Sequence, residues 1–230
     1  MIRQAAILAG GKGTRLRPIT YQLPKCMVPV NKRPFLEYLI LYLKKQGIQE
    51  IVLLVGYKWE TIKRHFGSGE DFGVSITYSV EKNFLGTGGA LKNAEHMLAE
   101  TFFLLYGDTY LPINYGEMCS ALTLDATGVL AVYTNRERVD RNNVHVGPDG
   151  YVLEYNKNEE KEYMNGIEAG VSLFRREVLE YIPSGREVSL EIEVYPKLIK
   201  NRRLKAYITN IRYYDMGTPE RLKKIAEVLK

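Results

Sequence analysis

The sequence predicts an α/β protein built on a mixed, mainly parallel sheet. Three observations lead to this fold class. Continuous apolar runs, typical of strands that are buried on both faces, recur along the chain. Segments with helical periodicity separate these runs in the first half. The first run, residues 5–9, leads directly into a glycine-rich loop. Alternation of strand and helix implies parallel pairing through right-handed crossovers.

Local patterns support each element of the first half. From Leu36, apolar residues recur at i, i+3, i+4 and i+7, which predicts a helix that Gly47 can end. Short apolar runs without helical periodicity predict buried strands. In chain order, the predicted elements are strand 5–9, helix 34–46, strand 51–55, helix 59–66, strand 75–79, helix 88–98 and strand 102–106.

The second half gives a more mixed pattern. Gly-Pro-Asp-Gly at residues 147–150 favours a turn, so segments 144–146 and 151–155 are predicted to form a hairpin. Ser189 can cap a helix that starts at Leu190, and Pro196 is expected to kink it. Thr218 is a suitable cap for a final helix. The other predicted elements are strands 128–134, 167–174 and 204–209 and the helix that ends at residue 229.

Composition excludes several classes of protein. The chain has 230 residues, 45% of them apolar, and a net charge of only +5 that is spread along its length. A nucleic-acid-binding protein usually concentrates its basic residues, so we expect no nucleic-acid partner. No apolar run approaches the roughly 18 residues of a membrane span, and the N-terminus does not resemble a signal peptide. We therefore expect a cytoplasmic protein without a membrane partner. A mild positive balance suits small polyanionic substrates.

The strongest local signal is LAGGKGTRLRP at residues 8–18, in which a predicted strand leads into three glycines, a threonine and three cations. Glycines allow backbone N–H groups to approach phosphate oxygens, and Arg15 can bind a phosphate through two parallel hydrogen bonds. The loop matches neither GxxxxGK[ST] nor GxGxxG, so it is not one of the common NTPase or dinucleotide motifs. We favour phosphate binding over a tight turn with incidental surface cations.

Further along the chain, other candidate residues carry charge. Lys25 lies in LPKCMVPV at residues 23–30, where prolines stiffen the chain, and it could hold a phosphate as a point charge or be an ordinary surface lysine. Cys26 is predicted to be a packed thiol because no histidine lies within the motif. Asp108 follows a predicted buried strand, and with the distant Asp215 it could share Mg²⁺ with substrate phosphates. The alternative is that both aspartates cap turns or helices.

Five motifs in order resemble those of the sugar-1-phosphate nucleotidyltransferases, and this resemblance covers nearly the whole chain. They are LAGGKGTRLRP (8–18), LPKCMVPV (23–30), LGTGGA (85–90), YGD (106–108) and YDMGTPER (214–221). The resemblance implies a single Rossmann-like three-layer α/β/α domain over residues 1–230. Residues 1–134 would bind nucleotide, and residues 135–230 would supply a sugar-binding lobe and a closing helix. The chain ends just after this helix, so the C-terminal β-helix of many relatives is not expected.

The resemblance also implies roles for individual residues. Arg15, Lys25 and Asp108 would be catalytic, and Asp108 and Asp215 would hold Mg²⁺. Asn156 stands where relatives have the glutamate of a Glu-Lys-Pro motif. The residues implied to bind nucleotide are Leu8, Gly10, Gly11, Gly13, Thr14, Arg15, Gly86, Thr87 and Gly88. Those implied to bind the sugar phosphate are Lys25, Asn156, Lys157, Glu168 and Gly170.

The family's reaction joins an NTP to a sugar 1-phosphate and releases pyrophosphate. VDRNNV (139–144) and SLEIEVYP (189–196) resemble segments of guanylyltransferases that act on manno-configured hexose or heptose 1-phosphates. The alternatives are a UTP- or dTTP-dependent enzyme and a non-catalytic regulatory subunit that senses nucleotide sugars. A glycosyltransferase would usually have Asp-x-Asp where this chain has Asp-Thr-Tyr at residues 108–110. Homodimers are common in such enzymes, so the assembly is left open between a monomer and a homodimer.

Overall fold

The computed structural model describes residues 2–229 and contains one large sheet flanked by helices. The strands are β1 (Gln4–Leu8), β2 (Pro29–Val30), β3 (Arg33–Pro34), β4 (Glu50–Val55), β5 (Ser75–Val80), β6 (Thr101–Tyr106), β7 (Thr109–Tyr110), β8 (Gly128–Tyr133), β9 (Val144–Val146), β10 (Val152–Tyr155), β11 (Ile167–Arg175), β12 (Leu204–Thr209) and β13 (Tyr214–Asp215). The helices are α1 (Phe35–Lys45), α2 (Trp59–Phe66), α3 (Gly86–Asn93), α4 (Tyr115–Cys119), α5 (Tyr195–Lys200) and α6 (Pro219–Val228), and a π-helical turn spans Leu190–Val194.

The large sheet has seven strands in the order β12-β8-β11-β6-β1-β4-β5. All the neighbouring pairs are parallel except those of β11, which runs antiparallel to both β6 and β8. After β1 the chain builds outward through β4 and β5 and then returns to place β6 on the other side of β1. The strand order therefore reverses between β1 and β6, the position at which open α/β sheets bind ligands.

Apolar side chains cover both faces of the sheet. Successive residues of a strand point to opposite faces, so Ile7 and Phe103 belong to one cluster, which also contains the buried face of α1. Ala6 and Leu104 belong to a second cluster, which contains side chains of α3 and α5. The helices thus form a layer on each side of the sheet. This arrangement confirms the predicted α/β/α fold class with a mixed, mainly parallel sheet.

The predicted helix over residues 88–98 is wrong at both ends. Helix α3 begins at Gly86, where the N–H groups of Gly88 and Gly89 are free to donate to the Val188 carbonyl (2.8 and 3.3 Å). It ends at Asn93, and a separate 3₁₀ turn follows at residues 95–97. The predicted hairpin is confirmed, since β9 and β10 pair antiparallel across the turn.

The expected kink at Pro196 is also wrong. The side chain of Ser189 does cap the segment, accepting a hydrogen bond from the Ile192 N–H (3.2 Å). That segment is a π-helical turn, and α5 starts anew at Tyr195. Pro196 therefore lies in the first turn of a helix, where its missing N–H has no intrahelical partner to lose. Between residues 2 and 229, none of the helices has the length and hydropathy needed to cross a membrane.

Candidate active site

The loop that follows β1 lies at the reversal point of the sheet. The Ala9 N–H donates to the Leu54 carbonyl (2.8 Å), and the Gly107 N–H after β6 donates to the Leu8 carbonyl (2.9 Å). These bonds hold the chain segments that leave β1, β4 and β6 side by side. The glycine loop and the segment that contains Asp108 therefore meet at the carboxyl ends of the parallel strands.

Gly13 brings Lys25 against the glycine loop. Its φ is 60°, a left-handed conformation that favours glycine, and the Thr20 hydroxyl donates to its carbonyl (2.8 Å). A Cβ added at Gly13 would lie 2.8 Å from the Cβ of Lys25. The absence of a side chain at this position thus lets the two predicted phosphate-binding segments pack together.

Lys25 and Asp108 form an ion pair at the centre of this region. Asp108 follows β6, and its second carboxylate oxygen accepts a hydrogen bond from the Thr109 hydroxyl (3.1 Å). Cys26 is buried beside them, and burial raises the pKa of its thiol to about 12. This confirms that Cys26 is a packed thiol and not a reactive nucleophile.

Asp215 lies next to Asp108 although 107 positions separate them in the sequence. Strand β13 pairs antiparallel with β7, which places Asp215 opposite Thr109, and the Met216 N–H donates to the Asp108 carbonyl (3.0 Å). The Asp215 carboxylate accepts hydrogen bonds from the Gly217 N–H and from Arg221 (both 2.7 Å). Both predicted metal ligands therefore lie at one place, and each is paired with a cation.

Two connected cavities extend from this point. The first chamber, of about 190 Å³, is lined by five of the residues predicted to bind nucleotide: Leu8, Gly10, Gly11, Gly86 and Thr87. The second chamber, of about 490 Å³, is lined by these predicted residues: Gly11, Gly13, Thr14, Arg15, Lys157, Glu168 and Asp215. Lys25, Tyr106 and Asp108 line both chambers. The glycine loop therefore borders both chambers, whereas Lys157 and Glu168 line only the second, and the chambers meet at the Lys25–Asp108 ion pair.

Three predicted site residues line neither chamber. Gly88 is buried and directs its N–H to the Val188 carbonyl. Gly170 has a φ of 79° and donates its N–H to a carboxylate oxygen of Glu168 (2.8 Å), so it orients that side chain. Asn156 borders a neighbouring cavity of about 230 Å³, and its side-chain oxygen accepts two backbone hydrogen bonds. Their direct contact with substrate stays a prediction.

Two glutamates of the chambers were not among the predicted site residues. Glu81 lines the first chamber and accepts a hydrogen bond from the Leu85 N–H (3.0 Å). Glu191 lines the second chamber and is buried, with 4% of its surface exposed. Glu191 lies in the SLEIEVYP segment, which carried the subfamily resemblance, but nothing local in the sequence shows that its side chain turns inward.

The two glutamates of the second chamber, Glu168 and Glu191, differ in protonation. Burial, with the charge of Glu191 as the next influence, raises the pKa of Glu168 to about 8. Burial also acts to raise the pKa of Glu191, but hydrogen bonds from Ser189 and Tyr106 outweigh it and lower that pKa below its usual value. At neutral pH the chamber therefore holds a neutral Glu168 and an ionised Glu191.

Comparisons with known proteins agree with this geometry. A model of the nucleotidyl transferase family matches residues 4–230. The D-glycero-alpha-D-manno-heptose 1-phosphate guanylyltransferase of Campylobacter jejuni is 36% identical over 220 residues, covering 94% of this chain and 96% of that protein. A protein of the same name from Aneurinibacillus thermoaerophilus is 32% identical, covering 99% and 98%. The crystal structure of HddC from Yersinia pseudotuberculosis complexed with GMP-PN superposes with a TM-score of 0.84 at 28% identity, over 100% of both chains. This chain therefore belongs to the nucleotidyl transferase family, among the sugar-1-phosphate nucleotidyltransferases that its motifs resemble.

Proposed function

We propose that the protein transfers the guanylyl group of GTP to a manno-configured hexose or heptose 1-phosphate and releases pyrophosphate. The observation that carries this proposal is the pair of chambers that join at Lys25 and Asp108. A nucleotide in the first chamber and a sugar 1-phosphate in the second would bring their phosphates together at that junction. The relatives named as manno-heptose 1-phosphate guanylyltransferases support the choice of substrates.

The first chamber offers a feature suited to guanine. Glu81 presents a carboxyl group there, and within residues 2–229 only one of its oxygens accepts a backbone hydrogen bond, from Leu85. Guanine carries two adjacent donors, N1–H and the N2 amino group, which a carboxylate can accept together. Uracil and thymine carry a single N3–H donor on the corresponding edge. Glu81 therefore favours GTP over UTP and dTTP in this proposal.

The proposed chemistry relies on alignment and charge. An oxygen of the sugar 1-phosphate would attack the α-phosphorus of GTP, and pyrophosphate would leave from the opposite side. Lys25 and Lys157 would hold the sugar phosphate close to the α-phosphate. Arg15, which has no ion-pair partner within residues 2–229, would stabilise the departing pyrophosphate together with N–H groups of the glycine loop. No covalent enzyme intermediate is needed.

We further propose that Asp108 and Asp215 hold Mg²⁺. Both carboxylates line the second chamber, and such a pair fits this ion, which prefers oxygen ligands and usually takes only one or two from the protein. No cluster of three or more ligating side chains is found within the described part of the chain, so substrate phosphates and water would complete the shell. When bound, Mg²⁺ would neutralise charge that develops on the α-phosphate. Lys25 and Arg221, which pair with the two aspartates, hold these carboxylates in place.

The decisive experiment is a pyrophosphate-release assay. GTP, UTP, dTTP, ATP and CTP would each be combined with mannose, glucose and manno-heptose 1-phosphates, with and without Mg²⁺. We expect Mg²⁺-dependent release with GTP and a manno-configured sugar. In the Glu81→Gln variant, turnover of GTP should fall more than turnover of UTP. Preference for UTP or dTTP in the wild type would contradict the base assignment, and release without a divalent cation would contradict the metal assignment.

We also propose a cytoplasmic location, where NTPs are available, and use of the product in polysaccharide synthesis. A homodimer stays a prediction that light scattering on the purified protein would check. Absence of pyrophosphate release from every pair, in protein that still binds nucleotide, would instead favour the regulatory alternative.

A further inference from the structure

Glu191 places an ionised carboxylate in a chamber that is expected to receive phosphates. Its side chain is 3% exposed. Burial of a charged carboxylate is strongly unfavourable unless hydrogen bonds and an opposite charge compensate it. A negative charge also repels a phosphate substrate. A buried carboxylate at this position therefore needs a role that outweighs both the cost of burying its charge and its repulsion of phosphate.

The contacts of Glu191 join both chambers. One oxygen accepts hydrogen bonds from the hydroxyls of Thr87 (2.8 Å) and Ser189 (2.6 Å). The other accepts from the Tyr106 hydroxyl (2.5 Å) and lies 3.6 Å from the ammonium group of Lys157. Thr87 lines the first chamber and Lys157 lines the second. One carboxylate thus links Thr87, which is predicted to bind nucleotide, to Lys157, which is predicted to bind the sugar phosphate.

The backbone around Glu191 is fixed on the nucleotide side. The Leu190 N–H donates to the Thr87 hydroxyl (2.9 Å), and the Val188 carbonyl accepts from Gly88. The π-helical turn that contains Glu191 is a rare conformation that recurs at functional sites. On the same turn Glu193 points outward and pairs with Arg186 (2.6 Å). Glu191 is therefore a rigid anchor, whereas Lys157, with 53% of its side chain exposed, is not.

We propose that Glu191 is a positioning residue that holds the ammonium group of Lys157 over the second chamber, so that the sugar phosphate meets an oriented cation. This inference rests on the proposed function. A free lysine side chain loses much rotamer entropy when it binds a ligand, and an anchor reduces that loss. Thr87 and Ser189 hold the carboxylate of Glu191 in place. The position of Lys157 is therefore fixed relative to the predicted nucleotide-binding residues Gly86–Gly88.

The test is a double-mutant cycle with Glu191→Gln and Lys157→Met. The glutamine keeps the shape and one carbonyl oxygen for the hydroxyl donors, but it loses the attraction for Lys157. We expect the KM for the sugar 1-phosphate to rise roughly tenfold in each single variant and to rise no further in the double variant. The KM for the NTP and kcat should change much less. Glu193→Gln, on the same turn but outside the chamber, is the matched control and should leave all three constants unchanged.

Three results would overturn the proposal. Additive effects of the two substitutions would show that Glu191 does not act through Lys157. A fall in the KM for the sugar phosphate would show that the carboxylate only opposes anions. Equal rises in both KM values, with a lower melting temperature, would show a purely structural role.

The cycle uses whichever substrate pair the wild type turns over, so a wrong assignment of GTP or of the sugar leaves it valid. If the wild type turns over no pair, the proposed function fails separately. The same cycle is then read from calorimetric binding of inorganic phosphate. There, Lys157→Met should weaken binding in the wild-type background and have no effect in the Glu191→Gln background. An equal effect in both backgrounds would refute the proposal.

Discussion

The half-buried side chain of Glu168 lines the second chamber, and its replacement by glutamine should stabilise the protein at high pH. Burial and the neighbouring charge of Glu191 raise its pKa to about 8, against the opposing effects of the Gly170 N–H and Lys157. In the unfolded chain the group would titrate near 4.5. The folded state therefore holds an extra proton between these two values.

The sign and size of the effect follow from linkage. Because the folded pKa is raised, the stability contribution is intact below pH 4.5 and is lost as the pH rises through about 8. A shift of this size corresponds to a ceiling on the order of 5 kcal/mol, at about 1.4 kcal/mol per pKa unit. The chamber is open to water, which relaxes part of this penalty, so we expect about 2 kcal/mol or more to remain. Glu168→Gln removes the titrating group without changing its shape.

Urea unfolding of both proteins between about pH 5 and about pH 9 provides the measurement. The free energy of unfolding of Glu168→Gln minus that of the wild type should be small at the acid end and should grow with pH. Glu193→Gln is the control: hydrogen bonding to Arg186 lowers the pKa of that carboxylate below its usual 4.5, so the effect of this substitution should not change with pH over the measured range. A difference between Glu168→Gln and the wild type that does not change with pH would refute the raised pKa of Glu168.

Three further predictions concern the junction of the chambers. Asp108→Asn should lower turnover about 100-fold or more while circular dichroism stays unchanged, and near-normal kinetics would remove Asp108 from the mechanism. Gly13→Ala should destabilise the protein by roughly 1–3 kcal/mol in urea, because φ is 60° and the new Cβ meets Lys25. The thiol of Cys26 should resist iodoacetamide in the folded protein at neutral pH and react in urea, and rapid labelling without unfolding would contradict its burial.

Much of the fold could be predicted because the signals are local. Buried strands such as β1 and β4 are continuous apolar runs, and the caps at Ser189 and Thr218 are single side chains beside the helices they start. The direction of β11 could not be predicted in this way. Its antiparallel run depends on the long excursion through β9 and β10 that precedes it, and no residue within the strand specifies direction.

Some residues of the candidate site could likewise be predicted from local sequence, and others could not. The glycine loop and Asp108 could be placed together because the carboxyl ends of parallel strands share one edge of the sheet. Glu191 could not be placed with them, since a glutamate near the start of a helix is usually a surface residue that favours the helix dipole. Its burial depends on the packing of its segment against the turn at Gly86 and Thr87, which lies about 100 residues earlier.

The two glutamates of the second chamber, Glu168 and Glu191, limit its negative charge in different ways. If this chamber receives a sugar phosphate, as proposed above, it needs polar groups for the sugar hydroxyls but little unbalanced negative charge. Glu168 stays protonated and so can both donate and accept hydrogen bonds. Glu191 stays ionised, but three hydroxyls and Lys157 surround its charge. Because the charge of Glu191 itself helps to keep Glu168 protonated, Glu191→Gln should also lower the pKa of Glu168. The ionised Glu191 thereby helps to hold its neighbour in the protonated state.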